Sequence, residues 1–296
     1  MSLLLDRGAD VNRASHRGIT ALVAAAKKRH KRVVSLLLAR GGNANIALVV
    51  AAQQGYHGAV SLLLDQGADM NAVAHDTTAL IEAVRKGHKD IVSVLLDRGV
   101  DMNVVAHDTT ALIEAVQGWY TDVVSLLLDP NRSRGTNLDV NMEVNNTTAL
   151  IAATSKYKGN LHTMSLLLDR GADVNMEVNN TTALMRAISS GNLDMMSLLL
   201  DRGADVNMEV NNTTALIAAT SKGNLEMMSL LLDRGADVNM EVNNTTALVA
   251  ARSLEKMALL LGRGADVNME VNNVVNNSRH LKGHGNDNWE MTGVPE

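Results

Sequence analysis

The sequence predicts an all-α solenoid, in which short pairs of helices stack side by side along one axis. A string close to Gly-Ala-Asp-Val-Asn recurs about every 32 residues, and each interval holds two short apolar runs. Only 2% of the 296 residues are aromatic and Phe is absent, so Leu, Val, Ala, Ile and the 16 Met must fill the core. Closely packed helices suit this composition better than a β-sandwich, which favours β-branched and aromatic side chains.

The recurring string marks the units of the solenoid. Its aspartates are Asp69, Asp101, Asp139, Asp173, Asp205, Asp237 and Asp266. A step near 32 residues is typical of repeats in which each unit buries its apolar face only against its neighbours. We therefore expect one continuous array, and length gives no count of separate domains.

One unit illustrates the predicted helices. Thr214 precedes a short helix-forming run and is placed to accept hydrogen bonds from its free N–H groups. Gly223 then ends that run in the manner of a left-handed C-cap. A second run extends from Leu225 to Asp233 and is followed by a turn-rich segment. Because neither run is long enough to be stable alone in water, stacking must hold them, and the unit is predicted to be helix, loop, helix and projecting finger.

The pattern Thr-Ala-Leu, Gly, Leu-Leu-Leu, Gly-Ala-Asp-Val-Asn resembles the ankyrin repeat family. The first full copy runs from Gly18-Ile-Thr-Ala-Leu to Leu-Leu-Leu-Ala-Arg-Gly41, and eight copies in register extend to about residue 270. The resemblance implies helix pairs stacked into a curved solenoid, whose fingers and first helices form a concave surface that binds other proteins. Ala replaces the family's usual Pro, and apolar residues replace its His, so we expect a less rigid array.

Four irregularities distinguish the units. The finger between the first and second units is almost deleted at Asn45, and six residues starting at Pro130 are inserted after the fourth unit. Tyr157 and Lys158 lengthen the fifth unit, and the eighth is shortened near Arg252. We expect these changes to produce a notch and a bulge in the array.

The array is predicted to occupy residues 1–273, as a leading half unit followed by eight helix pairs. Residues 274–296 are rich in Asn, Gly and His and are predicted to be a polar, disordered tail. Neither end shows the polar outer face of a capping repeat. Self-association through the uncapped ends is therefore one expectation, and an alternative is that the chain is a fragment of a larger protein whose activity lies elsewhere.

Composition argues against several classes of function. The chain has a net charge of −5 and no cysteine, so disulfides and thiolate metal sites are excluded. His75-Asp76 and His107-Asp108 stand a full repeat apart, too far to share a metal ion, and His280 and His284 lie in a Gly- and Asn-rich segment. No phosphate loop or nucleophile motif is visible. We expect a non-enzymatic protein without cofactor, metal or membrane span, located inside the cell, in the cytoplasm or alternatively the nucleus.

The repeated Met-Glu-Val-Asn-Asn string supplies the first candidate site. Its glutamates recur at one position of successive fingers and would form a ladder of carboxylates that a basic partner segment can follow. The candidate residues are Glu143, Glu177, Glu209, Glu241 and Glu270, with Asn179, Asn211 and Asn243. The alternative is that these fingertips are solvated and are identical because they arose by duplication.

The ends of the first helices supply the second candidate site. Trp119 and Tyr120 are large aromatics in a chain that has few, so they either anchor a partner or pack between adjacent units. By resemblance to the family, the same groove is faced by Arg85, Lys86, Ser189, Ser190, Ser221 and Lys222.

A basic cluster in the first unit supplies the third candidate site. It consists of Lys27, Lys28, Arg29, Lys31 and Arg32. Nucleic acid or an acidic ligand is an alternative partner for this cluster. The cluster lies in one tight loop without interleaved aromatics, so we favour a solvated loop or a protein contact and regard nucleic-acid binding as the weaker hypothesis.

Overall fold

A computed structural model describes residues 2–16, 18–131, 137–155 and 161–269. Within these residues the chain forms 17 α-helices and no β-strand, only isolated β-bridges. The helices are α1 (Ser2–Asp6), α2 (Ala21–Lys27), α3 (Lys31–Ala39), α4 (Ala44–Gln53), α5 (His57–Asp65), α6 (Ala79–Arg85), α7 (Lys89–Asp97), α8 (Ala111–Gln117), α9 (Thr121–Leu127), α10 (Ala149–Ala153), α11 (Leu161–Asp169), α12 (Ala183–Ser190), α13 (Leu193–Asp201), α14 (Ala215–Lys222), α15 (Leu225–Asp233), α16 (Ala247–Ala250) and α17 (Leu254–Gly262).

The predicted all-α solenoid is confirmed. After α1 the helices form eight consecutive pairs, which we number units 1 to 8, so that α2 and α3 are unit 1 and α16 and α17 are unit 8. Each first helix contacts the first helix of the next unit, from α2 to α16, and the second helices do the same from α5 to α15. The buried apolar side chains consequently form one continuous core along the array.

Threonine caps every first helix except α4, which is capped by Asn43. In α14 the Thr214 hydroxyl accepts a hydrogen bond from the Ile217 N–H at 3.3 Å, and Gly223 ends the helix with a φ of 84°. Both features confirm the helix ends predicted from the sequence. An N-cap of this kind contributes about 1 kcal/mol. The same cap is made by Thr20, Thr78, Thr110, Thr148, Thr182 and Thr246.

The second helices bury an apolar face, which is rich in Leu and Met in units 5 to 7. In α15, Met227, Met228 and Leu231 are almost completely buried, while Asn224 caps the helix by accepting from the Met227 N–H. Full burial of each such side chain contributes about 1.5–3 kcal/mol. The helix has only nine residues, so this packing, and not helix propensity, holds it in place.

A two-residue hairpin forms each finger before units 3 to 8. Before unit 7, Val210 and Thr213 exchange two backbone hydrogen bonds of 2.9 and 3.1 Å around Asn211 and Asn212, whose φ values are 52° and 55°. Two consecutive positive φ angles define a type I′ turn, which Asn, Asp and Gly adopt at low cost. The same turn occurs at His75-Asp76, His107-Asp108, Asn145-Asn146, Asn179-Asn180 and Asn243-Asn244.

The asparagine of the recurring string ties each finger to the next. The Asn207 carbonyl oxygen Oδ1 accepts from the Asp237 N–H at 2.8 Å, and its amide Nδ2 donates to the Gly235 carbonyl at 3.2 Å. Each side chain thus satisfies backbone groups one unit away. The Oδ1 contact recurs at Asn12, Asn45, Asn71, Asn103, Asn141, Asn175 and Asn239.

The predicted irregularities lie partly within the described residues. The missing finger between units 1 and 2 is confirmed, since α3 ends at Ala39 and α4 begins at Ala44. The shortened eighth unit is also confirmed, because α16 has only four residues. Residues 132–136, which hold most of the insertion after unit 4, lie outside the described residues. So do Tyr157 and Lys158, Glu270, and the predicted tail at 274–296.

Candidate functional site

A groove of about 1140 Å³ runs across units 4 to 7, and we call it the central groove. Fingertips line one side of it, at His107, Asp108, Asn145, Asn146 and Asn179. The first helices and the residues that follow them line the other side, among them Glu114, Trp119, Thr154, Ser155, Arg186, Ser189, Ser190 and Lys222. It therefore joins the two kinds of surface that the sequence analysis associates with binding.

Short side chains and a short helix open this groove. The first helix of unit 5, α10, has only five residues, whereas α8 has seven and α12 has eight. Ala152 in α10 and Ala218 in α14 occupy the position that Glu114 and Arg186 hold in units 4 and 6. The small Ala152 in unit 5 lines the groove together with Arg186 and thus leaves space on that side of the arginine.

The basic end of the groove lies in units 6 and 7. Arg186 is exposed, and its guanidinium makes no hydrogen bond or ion pair within the described residues. Lys222 donates to the Ser189 carbonyl at the end of α12. The Ser190 hydroxyl donates to Ala187, while Ser189 and Ser221 are exposed. Among the described residues, no carboxylate is paired with the Arg186 cation.

The exposed side of the first helices, which we call the floor, is different in units 3 and 4, because its charged side chains are paired with one another. Arg85 contacts Glu82 at 2.6 Å and Glu114 at 3.0 Å, and Gln53 donates to Glu82 at 3.1 Å. Glu82 is only 3% exposed. The hydrogen bond to Glu114 raises the pKa of Arg85 above its ordinary value, and although burial opposes this shift, the charges of both glutamates reinforce it. Arg85 therefore acts as an internal counter-ion.

The two aromatic residues beside the groove have different surroundings. Tyr120 is half-buried, lies against Gly87 and donates its hydroxyl hydrogen to the Arg85 carbonyl at 3.1 Å. Trp119 is 42% exposed, has a φ of 66° and lines the groove. Of the pair, Tyr120 packs between units 3 and 4, as the sequence analysis allowed, and Trp119 faces the groove.

Comparison with known proteins identifies the family. The family model for ankyrin repeats in three copies matches residues 1–74, 48–140, 132–210 and 207–271, which together cover most of the chain. The chain belongs to the ankyrin repeat family. The resemblance predicted from Thr-Ala-Leu and Gly-Ala-Asp-Val-Asn is thus confirmed, and ankyrin repeat domains generally mediate protein–protein interactions and are typically non-enzymatic.

Two solved ankyrin repeat domains are similar to this chain. The ankyrin repeat domain of Bcl-3, described as a unique member of the IkappaB protein family, is 27% identical, with a TM-score of 0.67, over 73% of this chain and 97% of its own. The human ASB11 ankyrin repeat domain is 29% identical, with a TM-score of 0.59, over 74% of this chain and 98% of its own. A comparison with curated proteins gives no match.

The central groove brings together some of the residues predicted from the sequence, and others lie outside it. It brings together Trp119, Asn179, Ser189, Ser190 and Lys222. The finger glutamates are exposed and have no hydrogen bond or ion pair within the described residues, but they do not line the groove. These glutamates are Glu143, Glu177, Glu209 and Glu241. Four other candidate residues are also exposed outside the central groove, namely Asn211, Asn243, Lys86 and Ser221.

Sequence reasoning missed Arg186 and Glu114 as groove residues. The sequence does hold a signal for Arg186. It is a charged residue at the fourth position of a first helix, where the neighbouring ankyrin units have Ala152 and Ala218. Glu114 recurs one repeat after Glu82, which was a signal for a shared role. The pairing of Glu82 and Glu114 with Arg85 is visible only in the structure, since the Glu114 contact joins two units.

The basic cluster lies on unit 1 of the ankyrin array and lines no part of the central groove. Its five side chains are exposed, and Lys27 Nζ stands 4.0 Å from the centre of the Tyr56 ring. Arg29 lies over Gly58 at the start of α5. Binding of nucleic acid or an acidic ligand to this cluster stays a prediction.

Two further features of the ankyrin array concern its possible partners. No helix among the described residues is long and apolar enough to cross a membrane. Apolar side chains are exposed at both ends of the described array, at Leu3 and Leu4 in α1 and at Leu254 and Leu261 in α17. Self-association through these ends stays a prediction.

Proposed function

We propose that this protein is a non-enzymatic binding module that holds a partner protein against its fingertips and first helices. The observation that carries this proposal is the central groove, in which exposed polar side chains from four successive units face one volume of about 1140 Å³. A surface assembled from several units gives a partner many small contacts, whose strength adds along the array. Membership of the ankyrin family supports the same function.

The fingers add a second row of contacts to this surface. Glu143, Glu177, Glu209 and Glu241 are exposed at equivalent positions, one unit apart, with no intramolecular partner among the described residues. Stacked helices lie about 8–10 Å apart, so a basic segment that crosses the units meets a carboxylate at each step. Such complementarity speeds association and orients the partner. Asn179, Asn211 and Asn243 stand beside these carboxylates at the turns.

Affinity capture with a charge-reversed array tests this proposal. The variant carries Glu177→Lys, Glu209→Lys and Glu241→Lys, and its partners are compared with those of the wild-type array by quantitative mass spectrometry. We expect proteins captured by the wild type to fall at least tenfold in the variant, because three attractive contacts become repulsive.

A matched control places the same charge change on the second helices. Asp194, Glu226 and Glu255 are exposed in the first turns of α13, α15 and α17 and do not line the groove. The triple lysine variant at these positions should keep the partners, after circular dichroism shows that both variants are folded. Equal capture by all three proteins would contradict a binding role for the fingers.

A further inference from the structure

We propose that the central groove accepts an extended, acidic segment of the partner, with one Asp or Glu side chain paired to Arg186. This inference rests on the proposed function and adds the chemistry of the bound segment. It differs from the finger contacts, which favour basic residues, because it concerns the floor of the groove and not its outer edge.

The state of Arg186 is the first argument. Its guanidinium has no hydrogen bond or ion pair within the described residues, although Arg85 in unit 3 contacts two carboxylates. The flanking positions are Ala152 and Ala218, so neither neighbouring unit supplies a counter-ion. Five N–H donors in a planar fork suit a carboxylate, which they bind through two parallel hydrogen bonds. An Asp or Glu from the partner would supply what Glu114 supplies to Arg85.

The distribution of charge along the groove is the second argument. Arg186 and Lys222 provide cations in units 6 and 7. The carboxylates that line the groove, Asp108 and Glu114, lie at the unit 4 end, and Glu114 is already bound to Arg85. The groove therefore has a cationic end and an anionic end. A bound segment would place its acidic residue at the Arg186 end.

The dimensions of the groove are the third argument. Its volume of about 1140 Å³ exceeds the range of about 300–1000 Å³ that is usual for small-molecule pockets. Its walls span units 4 to 7, which is about 25–30 Å at the usual spacing of packed helices. An extended chain rises about 3.3 Å per residue, so roughly eight or nine residues fit. The exposed ring of Trp119 offers an apolar contact near the other end.

The net charge of the chain beyond residue 58 makes this preference unusual. Residues 59–296 carry 18 Lys or Arg and 30 Asp or Glu, a net charge of −12. General electrostatics would thus select basic peptides at long range. Screening at physiological ionic strength limits that effect to about 8 Å, so a cation on the groove floor can impose the opposite preference locally. Enrichment of Asp or Glu at one position of the bound peptides would therefore indicate a contact with Arg186.

Peptide selection on the whole protein tests the inference. Random twelve-residue peptides displayed on phage are selected on the wild-type chain, on Arg186→Glu and on Arg170→Glu. Arg170 is an exposed arginine that does not line the groove, so the last variant is a control for charge. We expect the wild type and the control to enrich peptides that share one Asp or Glu, and Arg186→Glu to enrich Lys or Arg there.

A binding cycle with one selected peptide gives the second measurement. Fluorescence polarisation should show at least tenfold weaker binding to Arg186→Glu and about threefold to tenfold weaker binding to Arg186→Gln. Changing the acidic residue of the peptide to Gln should weaken binding to the wild type by a similar factor and have little effect on Arg186→Gln, because the two changes remove the same contact.

Three results would overturn the inference. They are the absence of any selected peptide, a set of peptides without a common acidic position, and an acidic preference that Arg186→Glu leaves unchanged. Circular dichroism of each variant shows whether it is folded. The finger variants test the proposed function separately, so a partner lost on finger reversal, together with no role for Arg186, would reject only this inference.

Discussion

Units 3 and 4 and units 5 to 7 carry the same helix pairs but different charges on their first helices. In units 3 and 4, Arg85 is paired with both Glu82 and Glu114. In units 5 to 7, the positions equivalent to the two glutamates hold Ala152, Arg186 and Ala218. One region thus pairs the charges of these first-helix side chains with one another, and the other leaves a cation beside an open volume.

The difference shows how a repeat separates stability from recognition. In both regions the Ala-Leu pairs of the first helices and the main apolar positions of the second helices are buried, so stacking is preserved. The fourth position of the first helices is variable, from the buried Glu82 in unit 3 to the exposed Arg186 in unit 6, and its side chains contact only adjacent units. A charge change at this position therefore alters the groove without altering the core. The exception is a change that removes the ion pair of a buried side chain, such as Glu82.

Removal of the two arginines should give the largest contrast between the regions. Arg85→Leu leaves the almost buried Glu82 without its main counter-ion. We expect the free energy of unfolding to fall by about 2–3 kcal/mol. This loss is smaller than that for a fully buried ion pair, because Arg85 is partly exposed. Arg186→Leu should change it by at most about 0.5 kcal/mol. Urea unfolding followed by circular dichroism measures both.

A double variant separates loss of the ion pair from loss of packing. Arg85→Leu combined with Glu82→Leu removes the more deeply buried of the two carboxylates that Arg85 contacts and should recover part of the loss, while Glu114 stays partly exposed to solvent. Equal destabilisation by Arg85→Leu and Arg186→Leu would show that the two floors do not differ in the way described.

The asparagine contacts between fingers should give the next largest effect. Asn207 makes two hydrogen bonds to the following unit, whereas Asn71 makes one, to the Asp101 N–H, among the described residues. We expect Asn207→Ala to cost about 1–2 kcal/mol and Asn71→Ala about half as much, since each hydrogen bond contributes about 1 kcal/mol. Thermal unfolding monitored by circular dichroism would rank the two variants, and the reverse order would contradict this account.

Most of the fold follows from local sequence signals. Thr214 and Gly223 mark the ends of a helix because capping depends on the residue itself and its near neighbours. The period near 32 residues then defines the stacking, since each unit can bury its apolar face only on an equivalent unit. Fingers and helices could therefore be predicted without knowledge of the contacts between units.

The site was less predictable because it depends on contacts between units. Arg85 and Lys222 were both expected to face a groove, yet Arg85 is held by two glutamates and Lys222 by a carbonyl of the preceding unit. Arg186 was overlooked, since only the structure shows that it has no counter-ion among the described residues. A sequence shows which charges exist, and the packing of units decides which of them are already neutralised.

The adjacent aromatics at the boundary of the two regions should respond differently to substitution. Tyr120→Phe removes the hydrogen bond to the Arg85 carbonyl and should cost about 0.5–1.5 kcal/mol. Trp119→Ala removes an exposed ring, so stability should change by at most about 0.5 kcal/mol. Binding of a peptide selected on the wild type should weaken in Trp119→Ala and persist in Tyr120→Phe. The opposite pattern would assign the partner contact to Tyr120.

The smallest effect is expected at the fingertips, where the two regions should not differ. Asp108 before unit 4 and Asn212 before unit 7 each have a φ of 55° at the second position of the same turn. Glycine adopts positive φ without steric cost but gains freedom in the unfolded chain, so Asp108→Gly and Asn212→Gly should each stabilise by only about 0.3–0.5 kcal/mol. Differential scanning calorimetry should show similar small rises in Tm. A rise confined to one region would mean that the fingers, and not only the floor, distinguish units 3 and 4 from units 5 to 7.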